Sequence, residues 1–311
     1  MTLANIKCPR CDEQLFPRNE IKKWTSSYED CLRSCDKCSI GFSNSKDSPT
    51  MIYKNYQDNI PELVRQNLDQ ALSNSVNEMN RKNKLNKFGF STSEDALTWS
   101  FFNYFIVSNR YSDLRDLLSV KSDETFFDIY LWGSKINSAN NDIEIIENFL
   151  EVSDSFKEIK SKRTEPDVVL KLGDKLIFIE VKYRSKNEIT NDAYKFENYL
   201  IPDIDINKVI SSGHYELYRN WAFASKLSNG NEFELINLGP EKLFHDMNKF
   251  KLSQFENALN QTNGKFRKLS WDKILEKVNN SHYEDWFKIY LNQKLKHTTK
   301  KSLVYALPPK S

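Results

Sequence analysis

Apolar residues recur along this chain in two rhythms, one of period two and one of period three to four. The clearest period-two stretch is residues 165–184, EPDVVLKLGDKLIFIEVKYR. It reads as two short strands joined at Gly173-Asp174, because Gly-X between β-rich runs marks a two-residue hairpin loop. That loop pairs Leu172 with Lys175 and, counting outward, sets Asp167 opposite Glu180. Opposed residues have Cβ atoms roughly 4.5–5.5 Å apart on one face. Lys182 lies two residues beyond Glu180 and points to the same face. Two further strands are expected, at 126–132 (FFDIYLW) and at 233–240 (FELINLGP), the second closed by Gly-Pro.

The helical rhythm predicts a long helix after Pro61, with Leu63, Val64, Leu68, Leu72, Val76 and Met79 on one stripe, joining the N-terminal region to the core. The basic run 81–87 that follows reads as a solvated loop or a phosphate-backbone contact. Ser91 or Thr92 can cap a helix carrying Trp99, Phe102, Phe105 and Ile106, with Glu94 and Asp95 in its first turn. Residues 141–160 are helical in part and acidic, and 201–206 (IPDIDI) read as a Pro-broken loop. Residues 215–224 form another helix. The tail, 241–311, reads as mostly helical, with Phe255, Leu259, Phe266 and Leu269 leading to helices at 271–278 and 282–296. The resulting core order is α-β-β-β-α-β. The expected organisation is 1–45, a small metal-stapled domain; 46–90, linker and connecting helix; 91–245, an α/β core with a mixed central sheet flanked by helices; and 246–311, a helical extension packed on it.

Cysteine usage changes the picture at the N-terminus. All five cysteines fall between positions 8 and 38. Cys8-Pro-Arg-Cys11 and Cys35-Asp-Lys-Cys38 are two CxxC knuckles separated by twenty-three residues. Such pairs supply four thiolates for a tetrahedral Zn²⁺, and so short a domain needs a staple. The segment resembles a zinc ribbon. Cys31 is left over; it competes with Cys35 as a ligand only against the CxxC spacing and otherwise reads as a buried thiol. Lys7, Arg10, Arg18, Lys22, Lys23, Arg33 and Lys37 interleave with Phe16, Trp24 and Tyr28. These aromatics either stack on nucleic-acid bases beside phosphate contacts or fill the small domain's core.

The totals set bounds. With 311 residues, 39% hydrophobic and 13% aromatic, the chain has ample material for a sizeable core. The formal charge of +2 excludes a wholesale basic protein, although nucleic-acid binding needs only a local surface. No run of about 18 apolar residues is present, so no membrane span is expected, and MTLANIKCPR has no apolar secretory core. A cytoplasmic location is the expectation.

Asp167 and Glu180 held face to face repel unless a cation lies between them, and their hard oxygens suit Mg²⁺ or Mn²⁺. Pro166-Asp167, twelve residues, then Glu180-Val181-Lys182 resembles the PD-(D/E)XK nuclease superfamily, the restriction-endonuclease-like fold, over about residues 90–240. The resemblance implies a metal-dependent phosphodiesterase acting on DNA, with Asp167 and Glu180 on the ion and Lys182 beside the attacking water. It also implies an acidic residue on the opening helix. Glu94 is the best match, against plain helix N-terminal charge. Arg184 is a candidate for charge on the transition state, and Lys160, Lys162 and Arg163 for a nearby phosphate. Glu216 and Arg219 are candidates from the following helix, although a surface ion pair is the preferred reading. The basic tail, Lys294, Lys296, Lys300 and Lys301, is a DNA contact or a charged end. By analogy, a ribbon fused to a nuclease suggests restriction or anti-phage defence. The rival readings are a non-catalytic nucleic-acid or protein recognition module and an RNA-cleaving enzyme; the candidate partners are DNA or RNA and, for assembly, a second copy of the chain (a homodimer) or a partner subunit.

Overall fold

The computed structural model describes residues 3–18, 24–46, 49–75, 78–137, 148–202, 204–245, 251–259 and 263–296. Its strands are β1 (Ile6–Lys7), β2 (Gln14–Leu15), β3 (Arg33–Cys35), β4 (Ile40–Phe42), β5 (Met51–Tyr53), β6 (Asp128–Leu131), β7 (Ser134–Lys135), β8 (Val168–Leu172), β9 (Lys175–Val181), β10 (Phe233–Gly239) and β11 (Gly264–Ser270). Its α-helices are α1 (Leu68–Ser73), α2 (Glu78–Phe88), α3 (Glu94–Val107), α4 (Tyr111–Leu117), α5 (Phe149–Ser155), α6 (Ala193–Glu197), α7 (Ile206–Ser212), α8 (Tyr215–Leu227), α9 (Leu252–Ala258), α10 (Trp271–Asn279) and α11 (Asp285–Lys296). None of the described helices is long and apolar enough to cross a membrane. The chain divides into two compact units. Unit 1 comprises residues 1–66, 82–107 and 275–311, and unit 2 comprises 67–81 and 108–274.

In unit 1, β1 and β2 form one small antiparallel hairpin, while β3, β4 and β5 form a three-stranded antiparallel sheet. β5 lies within residues expected to be linker. Its run Met51-Ile52-Tyr53 is fully buried, and apolar strand residues with a sheet edge available pair rather than remain in solvent. Residues 89–91 add to that sheet, with Tyr53 N donating to Gly89 O and Ser91 N to Met51 O, both at 2.8 Å. α3 is apolar nearly all round and buried from Ala96 to Phe105, as expected of an interior helix. Its Tyr104 stacks on Phe287 of α11, ring centroids 3.6 Å apart. Trp99 Nε1 and Asn103 Nδ2 both donate to Val64 O. Lys294, read above as part of a charged tail, is instead wholly buried, donating to Asn59 Oδ1 and Ser91 O. Lys300 and Lys301 lie outside the described residues.

Unit 2 is built on a six-stranded mixed sheet in the order β11-β10-β9-β8-β6-β7. β8 pairs antiparallel with both β6 and β9, whereas β10 runs parallel to β9 and β11 parallel to β10. The expected hairpin register holds: Leu172 faces Lys175 and Val168 faces Ile179. The turn rests on Gly173, whose φ of +56° suits glycine. α8 packs on this sheet through Leu217, Tyr218, Trp221 and Phe223, in a core shared with Phe149, Phe178, Phe196 and Phe255.

Three further expectations change. The single helix after Pro61 is broken into a 3₁₀ turn (Glu62–Val64), α1 and α2; Asn67, at φ 63°, a left-handed conformation that Asn tolerates, separates the 3₁₀ turn from α1. The run 81–87 accordingly lies on α2 rather than in a loop. The Pro-broken segment keeps its loop reading over its described residues up to Asp205, which caps α7 by accepting from Lys208 N. The tail supplies a strand, not only helices. Phe266 and Leu269 sit three apart, a spacing that mimics a helix. However, Gly264–Ser270 pairs along its whole length with Phe233–Gly239. That approach requires Gly264, since a Cβ there would lie 2.5 Å from Phe233 and 2.6 Å from Trp221. Of the acidic 141–160 stretch, 149–155 form α5; residues 141–147 lie outside the described residues.

Candidate active site and metal centre

The N-terminal cysteines form a metal-binding constellation. Each CxxC knuckle lies at the turn of a hairpin, one between β1 and β2 and one between β3 and β4. Asp12 (φ 58°) and Ser39 (φ 54°) take left-handed conformations that curl the chain around the sulfurs. Cys8, Cys11, Cys35 and Cys38 bring their Sγ atoms within 4.8 Å of one another. Cys11 and Cys35 are 3.6 Å apart. A tetrahedron of Zn–S bonds of about 2.3 Å has edges of about 3.8 Å, so the four sulfurs fit zinc and are too far apart for disulfides of about 2.05 Å. Among the described residues this is the one such cluster of His, Cys, Asp or Glu.

Cys31 stands outside it. Its thiol donates to Ser27 O and packs against Gly41, where a Cβ would fall 2.6 Å from the sulfur. Burial pushes it up to about 12. The small core is filled by Ile6, Leu15, Ile40, Phe42, Met51 and Tyr53, not by the aromatics flagged from sequence: Trp24 is 90% and Phe16 66% exposed. Trp24 and Phe90 instead border an open groove with Thr25, Ser43, Asn44, Ser45 and Thr50.

The second constellation sits in unit 2, at the end of β9. Glu180 and Lys182 point the same way and both are buried. Two elements fix them. Lys182 N donates to Leu238 O at 2.7 Å, continuing the β10 ladder, and Trp271 Nε1 donates to Lys182 O at 2.9 Å. The Lys182 ammonium contacts Glu180 Oε1 and, 2.9 Å away, Glu216 Oε2 of α8. Asn220, one turn further along α8, donates to Glu180 Oε2 at 2.6 Å. Residues four apart share one helix face, which is how α8 delivers both side chains to β9. Asn237, opposite Glu180 on β10, pairs its amide with that of Asn187.

Asp167 sits one residue before β8, half-buried, with Oδ2 accepting from Val181 N at 2.8 Å. Burial, and then the charge of Glu216, raise Glu180 to about 7 against the opposing pull of Lys182. Burial also acts to raise Glu216, but the charge and hydrogen bond of Lys182 outweigh it and hold this carboxyl below its ordinary value.

The structure therefore brings together Glu180, Lys182, Glu216 and Asn220, with Asp167 on the adjoining strand. Glu94 opens α3 in unit 1, with its carbonyl accepting from Thr98 Oγ1, and Asp95 pairs there with Lys84 at 3.8 Å. The preferred surface pair of Glu216 with Arg219 gives way: Glu216 turns to Lys182. Arg219 lies against the Tyr215 ring, with its Nε making no hydrogen bond among the described residues. Strand β9 ends before Arg184, so that residue is exposed and sits over the Tyr183 ring. Arg163 is held by Asp154 at 2.7 Å. Asn220 was missed from sequence, although Glu216 and Asn220 are polar at i, i+4 in a helix otherwise rich in aromatics.

The donor set is compatible with a hard divalent cation. Mg²⁺ is held by one or two carboxylates and keeps several waters. Here Asp167 and Glu180 supply carboxylates, and the Asn220 Oδ1 is a buried oxygen with no hydrogen-bond donor among the described residues. A buried oxygen in that condition calls for a water or a cation. No protein-family model, no characterised protein and no solved structure matches this chain.

Proposed function

We propose that the protein is a metal-dependent nuclease with a zinc-binding ribbon, hydrolysing phosphodiester bonds in DNA. The observation that carries this reading is the end of β9. There a buried carboxylate and ammonium two residues apart share one face, with Asp167 on the adjoining antiparallel strand. The α-β-β-β-α-β order of α3, β6, β8, β9, α8 and β10, interrupted by short elements, is in keeping with the PD-(D/E)XK resemblance.

Asp167 and Glu180 would hold Mg²⁺ or Mn²⁺, which when bound supplies charge neutralisation and a more acidic water. Lys182 has the opposite task, keeping a positive charge beside the scissile phosphate, where it positions the attacking water and neutralises developing charge. An ammonium with an ordinary pKa of about 10.4 is a poor general base. Asn220 fixes one oxygen of Glu180, Oε2, while Lys182 contacts the other. The zinc ribbon offers exposed Trp24, Phe16 and Arg18 as stacking and phosphate contacts. A role in restriction or defence, and assembly with a second copy or partner subunit, belong to the same proposal by analogy.

Incubating the protein with supercoiled plasmid, single-stranded DNA and RNA, in Mg²⁺ or Mn²⁺ with EDTA controls, tests this. Cutting of DNA that stops in EDTA is expected. Cutting of RNA alone would move the substrate. Tight binding without cutting of any of the three would favour a recognition module.

A further inference from the structure

We infer that Glu216 is a positioning residue for Lys182. It retains the ammonium at the end of β9 when a divalent cation takes over the carboxylate of Glu180. The inference deepens the nuclease reading and rests on it.

The argument starts from the oxygens of Glu180. Asn220 occupies Oε2 at 2.6 Å, while Oε1 carries Lys182. A cation bound at Glu180 needs an oxygen at about 2.0–2.1 Å. A cation bound to this carboxylate meets the ammonium held at Oε1, and the two positive charges repel each other. Lys182 must then loosen its hold on Glu180. Its side chain is only 6% exposed, and a buried ammonium stripped of its partner is strongly disfavoured.

Glu216 resolves this. It already touches the same Nζ at 2.9 Å from a different element. It is itself steadied by Glu188 N, which donates to Oε2 at 3.1 Å. The helix that carries it is anchored by the fully buried Leu217 and the nearly buried Trp221. Lys182 is thus shared between a carboxylate on its own strand and one on α8, and can be handed to the second without leaving the site.

The test is a cycle of Mn²⁺ affinities, measured by the electron spin resonance of free Mn²⁺ on the zinc-loaded full chain. The proteins are wild type, Glu216→Gln, Lys182→Gln and the double variant, with Glu180→Gln marking the site. Lys182→Gln keeps a hydrogen-bonding amide in place of the ammonium, and thermal melting confirms that each variant is folded. With Lys182 present, Glu216→Gln takes away the carboxylate on α8 that holds the ammonium, so Mn²⁺ competes less well for Glu180 and affinity should fall about tenfold. With Lys182→Gln that competition is gone, and Glu216→Gln should change affinity less than about threefold. An equal loss in both backgrounds would mean that Glu216 acts on the cation directly, overturning the inference while leaving the metal site standing. No loss in either background would overturn it as well. Wild-type protein whose Mn²⁺ binding is absent, or indifferent to Glu180→Gln, would defeat both this inference and the metal-dependent reading.

Discussion

Lys182→Met removes the cation from a buried cluster and retains most of the side chain's volume. In the intact protein the ammonium neutralises Glu180, 6% exposed, and Glu216, 18% exposed. Without it these two carboxylates face each other in a site poor in water. Removing one partner of a buried ion pair costs about 3–5 kcal/mol, mostly because the other charge is left uncompensated. For a domain of this size, 1 kcal/mol shifts the melting temperature by about 2–4 °C. The expected fall is therefore about 6–20 °C for the zinc-loaded protein at pH 7.5 without added Mg²⁺ or Mn²⁺, read by circular dichroism. Adding Glu216→Gln in the same chain removes one orphaned charge. The pair should show a coupling energy of about 2 kcal/mol, since residues in one ion network are not additive. A loss under about 1 kcal/mol for Lys182→Met, or simple additivity in the double variant, would refute the reasoning and mean that solvent already screens the cluster.

Other expectations follow from the same physics. Chelating zinc, or Cys35→Ser, should unfold the ribbon while leaving the six-stranded sheet intact, seen as loss of protection of Ile40–Phe42 but not Ile177–Val181 in hydrogen exchange. Trp24→Ala should leave stability within about 0.5 kcal/mol, because the ring is 90% exposed; a cost above 2 kcal/mol in a urea melt would return Trp24 to a packing role. Gly264→Ala forces a methyl against Phe233 and Trp221 and should cost about 1–3 kcal/mol by overpacking, again read by urea melt. Cys31, with its folded value raised to about 12, keeps its proton between pH 9 and 12 where an unfolded thiol loses it. Its contribution to stability therefore falls as pH rises through that window. Iodoacetamide at pH 8 should leave Cys31 unmodified in the folded protein, and labelling at the rate of a free thiol would contradict its burial.

Local rules carried far in this sequence where geometry is short-range. The Gly173-Asp174 loop fixed the pairing of β8 with β9, and through it the shared face of Glu180 and Lys182. The CxxC spacing was enough to single out Cys8, Cys11, Cys35 and Cys38 over Cys31. Long-range partners were harder to read. β11 joins the sheet by a parallel pairing to β10, and parallel pairing carries no turn signal; Phe266 and Leu269 alone suggest a helix. Lys294 looks like tail charge until Asn59 and Ser91 O come to meet it across the fold. Glu216 was read with its neighbour Arg219 because sequence shows neighbours on a helix, whereas its actual partner, Lys182, arrives from a strand. Asn220 gave a signal only through its i, i+4 relation to Glu216, and an amide carries no charge to draw attention.

The central claim is tested most directly by a single comparison of plasmid cleavage in Mg²⁺ by wild-type protein and by Glu180→Gln, which keeps the shape of the side chain and removes its charge. Melting curves are recorded on both. The account predicts cutting by the wild type, loss of at least a hundredfold in the folded variant, and no cutting by either in EDTA. Equal rates for the two folded proteins would contradict it.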